Sequence, residues 1–167
     1  MSGIINSAGS RSGIIGIQSS STQPAFMATI NVVTNIATDT NTYITGTEVF
    51  DQNSNLTIGS TGSSLNSDGM VFTAPVTGKY QFNAWVEFEN APSNASYLTT
   101  AFITTARNFY TKQGAHDITG GNHNIACSVL TDMDVGDQAT LMVYQPSGTA
   151  STDILGGQSA FSGFLIG

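Results

Sequence analysis

The stretch Ala160-Phe161-Ser162-Gly163-Phe164-Leu165-Ile166-Gly167 holds four large apolar residues and no charge. In a strand with one wet face, apolar and polar residues alternate. Here Phe161, Phe164, Leu165 and Ile166 fall on both faces. The pattern predicts a strand covered on both sides, by a β-sandwich core on one face and by a neighbouring subunit on the other. The end of a chain ordinarily frays, whereas this one is expected to sit within packed structure.

The next long run upstream supports the same class. From Gly78 to Phe88 the chain has a clean period of two, with Tyr80, Phe82, Ala84, Val86 and Phe88 on one face and Gln81, Asn83, Trp85 and Glu87 on the other. That is a strand with a core face and a mostly wet face. Trp85 on the polar face is either packed under a loop or part of an interface. Further strand-like runs, separated by turn clusters, cover 25–30, 43–50, 56–58, 70–73, 97–106, 122–130, 138–144 and 160–166, the spacing of a sandwich. The segments 53–69 and 145–158 read as loops, and no run reads as a helix.

Composition agrees with an all-β chain. Charged residues make up 9% of the 167, against roughly 25% in an ordinary soluble domain. Their place is taken by 22 Thr, 19 Ser and 13 Asn, which suit pleated surfaces and turns and are poor inside helices. The length fits one domain able to bury a core without staples.

Charge excludes one class of partner. Four basic residues against eleven acidic ones give a net charge of −7, with no Lys/Arg cluster to displace counterions, so no nucleic-acid partner is expected. No apolar stretch approaches the length of about 20 residues that a membrane span needs, and the first residues lack the pattern of a secretory signal. Neither a membrane partner nor export is expected.

Residues 1–23 differ from the rest. Ser2-Gly3-Ile4-Ile5 recurs as Ser12-Gly13-Ile14-Ile15 ten residues later, within a stretch rich in Gly, Ser, Asn, Ala and Gln. A solvated Gly/Ser tail is one reading. Paired isoleucines at a fixed spacing favour another, an extended arm that orders when its Ile-Ile pairs enter grooves on a partner. The chain therefore divides into an arm, 1–23, and a head domain, 24–167.

Two segments together carry a family pattern. Phe72-Thr73-Ala74-Pro75-Val76-Thr77-Gly78-Lys79-Tyr80-Gln81-Phe82 resembles the signature of the complement C1q globular head, in which Phe, a small residue, Pro, Gly, Tyr and Phe recur at this spacing. Val135-Gly136-Asp137-Gln138 with the strand after it, and then Ala160 to Leu165, resemble the closing half of that domain, and Pro24-Ala25-Phe26 fits its opening strand. The resemblance implies a ten-stranded jelly roll related to tumour necrosis factor, packed as a homotrimer about an apolar axis. On that reading Phe161, Phe164, Leu165 and Ile166 form the trimer interface. The Gly-X-Y stalk of the animal members is absent. The short uncharged arm, Ser2 to Gly16, instead resembles small virion proteins of tailed phages that carry such a head.

Residue types able to support chemistry are few. His116 and His123 lie in a Gly/Asn-rich region without metal-ligand spacing, and Cys127 lies in the apolar run Ile125-Ala126-Cys127-Ser128-Val129-Leu130, where a small buried residue is the expected reading. Asp132, Asp134 and Asp137 present oxygens within one turn but lack the loop and closing Glu of an EF-hand. No catalytic residue, cofactor or metal is expected. The functional expectation is a non-enzymatic structural protein, made in the host cytoplasm and placed on the outer capsid surface of a phage. There Ile4, Ile5, Arg11, Ile14 and Ile15 of the arm would anchor a decorating trimer to the major capsid protein. A tail-fibre or spike tip that binds a host-surface receptor is the alternative.

Overall fold

The computed structural model describes residues 23–114 and 121–166. Among them are twelve strands and no helix: β1 (Ala25–Ile30), β2 (Thr42–Tyr43), β3 (Gly46–Asp51), β4 (Leu56–Ile58), β5 (Met70–Thr73), β6 (Gly78–Glu89), β7 (Tyr97–Thr104), β8 (Asn108–Gly114), β9 (His123–Met133), β10 (Gln138–Tyr144), β11 (Asp153–Ile154) and β12 (Ala160–Leu165). Ten of these have three or more residues; β2 and β11 are two-residue additions at the margins. The all-β sandwich expected from the alternation is what forms.

Every named strand pairing is antiparallel. One sheet runs β9-β6-β12-β1-β3, with β11 also on β6; the other runs β4-β5-β10-β7-β8, with β2 also on β10. The two sheets face each other across an aromatic core. Phe26, Phe82 and Phe161 enter from the first sheet, and Phe72 and Phe102 from the second. Phe26 stacks on Phe72 with ring centroids 5.0 Å apart and meets Phe161 edge-on at 4.8 Å, while Phe102 lies 5.6 Å from Phe161. Offset and edge contacts of this kind add to the gain from removing the rings from water.

Room for those rings depends on Gly163. A methyl group there would come within 2.6 Å of Phe82 and 2.7 Å of Phe26, so the strand passes directly over the aromatic cluster. Turn residues account for much of the Asn content. Asn35, Asn53, Asn66 and Asn90 all have φ between 56° and 71°, a conformation that Asn tolerates better than most side chains.

Four elements differ from the sequence expectation. The run 43–50 is not one strand, because the chain crosses between sheets there: β2 pairs with β10 and β3 with β1, with Ile44 buried at the crossing. Asn108–Gly114 is a strand that the pattern missed. Among the described residues it is the edge of its sheet, paired only to β7, and its polar outer residues blur the alternation. Likewise β11 lies inside the segment read as a loop, and β9 runs on to Met133 against the full length of β6.

Candidate functional site

The outward face of the first sheet is the larger candidate surface. Strand register places its side chains in rows. One row is Phe50, Met27, Ser162, Asn83 and Ser128, and the next is Ala25, Phe164, Gln81 and Leu130. A third is Thr47, Thr29, Ala160, Trp85 and Ala126. None of these residues is charged. The centre is a polar ladder in which Gln81 Nε2 donates to Ser128 Oγ at 2.8 Å and Ser128 Oγ donates to Asn83 Oδ1 at 2.8 Å. Around it stand exposed apolar groups, Leu130 at 54%, Ile166 at 50%, Phe50 at 46%, Phe164 at 42% and Trp85 at 37%. Charge returns only at the two ends, with Lys79 opposite Asp132 and Glu87 opposite Asn124.

The four residues expected at a trimer interface separate into two groups. Phe164 and Ile166 project outward and are exposed. Phe161 is fully buried among Phe26, Phe82 and Phe102 of its own subunit, so it has no surface left to give a neighbour, and Leu165 packs against the same core. The expectation for Phe161 is corrected on that ground: apolar residues on both faces of a strand need not both face outward contacts, since one face is the subunit's own core. Register adds Leu130, beside Gln81, and Phe50, beside Met27, to the exposed set. Neither was identifiable from sequence as sharing a face with Phe164, because strand pairing across distant segments decides it.

The second surface lies on the outward face of the other sheet. Along β7 and β10 both faces are buried, because on the outer side Tyr43, the register neighbour of Met142, packs with Ala101, Ile103 and Met142 as an apolar cover. Beyond that cover a cleft of about 250 Å³ opens among Tyr97, Tyr110, Tyr144, Lys112, Asn41 and Thr99, floored by Met142. The rings of Tyr97 and Tyr144 are 6.4 Å apart, and Lys112 Nζ lies 4.5 Å from the centre of the Tyr97 ring. Burial, and then the neighbouring Asp39 carboxylate to which its hydroxyl donates at 3.3 Å, push the Tyr144 phenol up from its ordinary value. Tyr43, under the cleft, is raised by burial and then by the proximity of Tyr110.

The acidic triplet has structural occupations. Asp132 pairs with Arg107 at 3.0 Å, Asp137 Oδ2 accepts the Asp134 backbone N–H at 2.8 Å, and Asp134 Oδ1 accepts from Thr77 at 3.4 Å. Gly136, with φ +89°, makes the turn that brings Asp134 and Asp137 together. Among the described residues no group of three His, Cys, Asp or Glu side chains converges as metal ligands. Cys127 is buried, facing the core, and His123 pairs with Phe88 at the end of β6. His116 and the arm residues Ile4, Ile5, Arg11, Ile14 and Ile15 lie outside the described residues.

Two antiparallel sheets in this order, closed by adjacent first and last strands, match solved heads of known type. The globular domain of zebrafish complement 1qA superimposes with a TM-score of 0.55 at 16% identity, over 86% of this chain and 98% of that one. The fold is the C1q-like jelly roll. Murine APRIL gives a TM-score of 0.49 at 13% identity, over 84% of this chain and 98% of its own. No family model and no curated protein matches the sequence. In the C1q-like head, the Pro75 turn expected from sequence is the bridge between sheets, carrying the chain from β5 in one to β6 in the other. It is tied to the Gly136 turn, with Ala74 N–H donating to the Asp137 carbonyl and Gly136 N–H to that of Ala74, both at 2.8 Å.

Proposed function

We propose that this chain is a non-enzymatic structural protein of a phage particle, a homotrimeric head that decorates the capsid exterior and is held to the major capsid protein by residues 1–23. The observation that carries the trimer is the uncharged outward face of the first sheet. Five large apolar side chains stand partly exposed on or beside it, and removing the remaining surface of each from water contributes roughly 1 kcal/mol. Three copies of this face turned toward a common three-fold axis suit it, because a surface without charge needs no complementary charge on its neighbours.

Anchoring by the arm is supported by the repeat Ser-Gly-Ile-Ile at 2–5 and 12–15 and by the place where the head begins. Pro24 accepts a hydrogen bond from Leu165 N–H at 2.9 Å, so the arm leaves beside Phe164 and Ile166, at one end of the proposed trimer face. Three arms would therefore emerge close together.

Co-sedimentation with undecorated shells tests the proposal. The full chain should pellet with shells, and a chain lacking residues 2–20 should stay folded and trimeric yet remain in the supernatant. Undiminished binding by the truncated chain would move the attachment surface to the head. Binding to host cells with none to shells would favour the tail-fibre reading.

A further inference from the structure

The cleft on the second sheet lies on the opposite side of the sandwich from the proposed trimer face, so assembly through the first sheet leaves it open. Its composition is unusual for a chain with so few charges. Tyr97, Tyr110 and Tyr144 stand around it, with Lys112 and Asn41 at its margin, and Tyr110 is about half exposed. Exposed phenol rings offer an apolar face and a polar tip, which suits a ligand that is itself apolar on one face and hydroxylated at its edge.

A second observation is independent of the rings. Thr99 lines the cleft and is only 1% exposed, and its hydroxyl has no hydrogen-bond partner. Thr100 and Thr140 of the same sheet also have unpaired hydroxyls, but Thr99 alone of the three lines the cleft, where a ligand hydroxyl can supply the missing partner. Register puts Thr99 between Lys112 on one side and Tyr144 on the other, at the floor where a ligand hydroxyl would arrive.

We infer that this cleft binds a neutral saccharide, one pyranose unit stacked on tyrosine with its hydroxyls bonded to Thr99, Asn41 and Lys112. A pyranose has one face of C–H bonds and a rim of hydroxyl groups, the two chemistries that the cleft presents. The volume of about 250 Å³ admits a single ring. Anionic ligands are disfavoured. Lys112, the one cation in the cleft, already lies over the Tyr97 ring, and the chain as a whole carries a net charge of −7. The site does not depend on where the protein sits in a particle.

The test uses the full chain and a panel of methyl hexosides and N-acetylhexosamines, read by saturation-transfer NMR and by shifts of labelled tyrosine rings. At least one sugar should bind with a Kd of about 1 mM or tighter. Tyr110→Ala, at an exposed position, should weaken binding tenfold or more with the fold intact. Thr99→Val removes only the orphan hydroxyl; it should leave thermal stability unchanged or raised and still weaken the sugar several-fold. The single tryptophan lies on the other sheet and serves as the internal control, its signals unmoved. Failure of the whole panel to bind would overturn the inference, as would binding that both substitutions leave unchanged. Capture of a protein ligand through Tyr110 without any response to sugars would also overturn it.

Discussion

At the scale of single residues, Gly163 and Phe161 show how tightly the aromatic core is specified. A methyl group at 163 meets two rings at distances that real Cβ atoms do not adopt, so Gly163→Ala must shift Phe26 or Phe82. Overpacking of this sort costs about 1–3 kcal/mol, and a clear fall in Tm by calorimetry is expected. Phe161→Ala, which empties the centre of the same cluster, should cost about 3–5 kcal/mol. Tyr80 offers a third check. It is buried, its hydroxyl donates to the Val76 carbonyl at 2.8 Å, and burial raises its phenol above the ordinary 10.0. In the unfolded chain the phenol ionises at the lower value, so the unfolded state loses its proton first. Stability is then fully present below about pH 10 and falls as pH rises through the folded value. Denaturation midpoints measured from neutral to strongly alkaline pH should show that fall, and Tyr80→Phe should flatten it. The identity of these core residues was legible in the sequence, because the alternation of Gly78 to Phe88 names its buried face directly. What Phe161 faces was not, since a doubly apolar strand does not say which side is the subunit's own core.

At the scale of elements, the long strands were readable and the edges were not. β6 and β12 carry the strongest hydrophobic pattern because both are central in their sheet, while β8 and β3 lie at edges, β8 with no fully buried residue and β3 exposed from Thr47 to Phe50. A pattern based on burial fades where burial itself fades. The same reasoning limits the candidate surfaces. Phe164 was visible as an apolar outlier, but Leu130 and Phe50 join it only through pairings of β6 with β9 and of β1 with β3. The sugar cleft draws on β7, β8 and β10 together with Asn41, and β8 was the strand left unread. An element-scale prediction follows from the rows on the first sheet. Phe164→Asp and Leu130→Asp each put a carboxylate on an outward, exposed position, so each subunit should keep its far-ultraviolet circular dichroism. Assembly should be lost in both, because a charge sealed in an apolar contact has neither water nor a partner. Light scattering at micromolar concentration reads the outcome, and a stable trimer in both variants would remove this face from the interface.

At the scale of the whole molecule, trimer and arm make a joint prediction that neither makes alone. If attachment rests on Ile4, Ile5, Ile14 and Ile15 entering apolar grooves of the shell, each arm supplies a modest contact. Once one arm of a trimer has docked, the other two are confined near their own sites, and their effective concentration there raises overall avidity by about 10²–10⁴-fold. Phe164→Asp leaves every arm residue in place and removes only the coupling between arms. Its monomers should therefore still bind shells, at least a hundredfold more weakly than the trimer, and should reach the same number of arms bound at saturation. Replacing the four isoleucines with Ser should abolish binding in trimer and monomer alike. Raising salt should change neither affinity much, since Arg11 is the one charged residue in 1–23. Titration of shells with each variant, followed by sedimentation, measures all three effects. Equal affinity of monomer and trimer would mean that a single arm per head engages the shell, and salt-sensitive binding would mean that the contact is ionic and lies on the head.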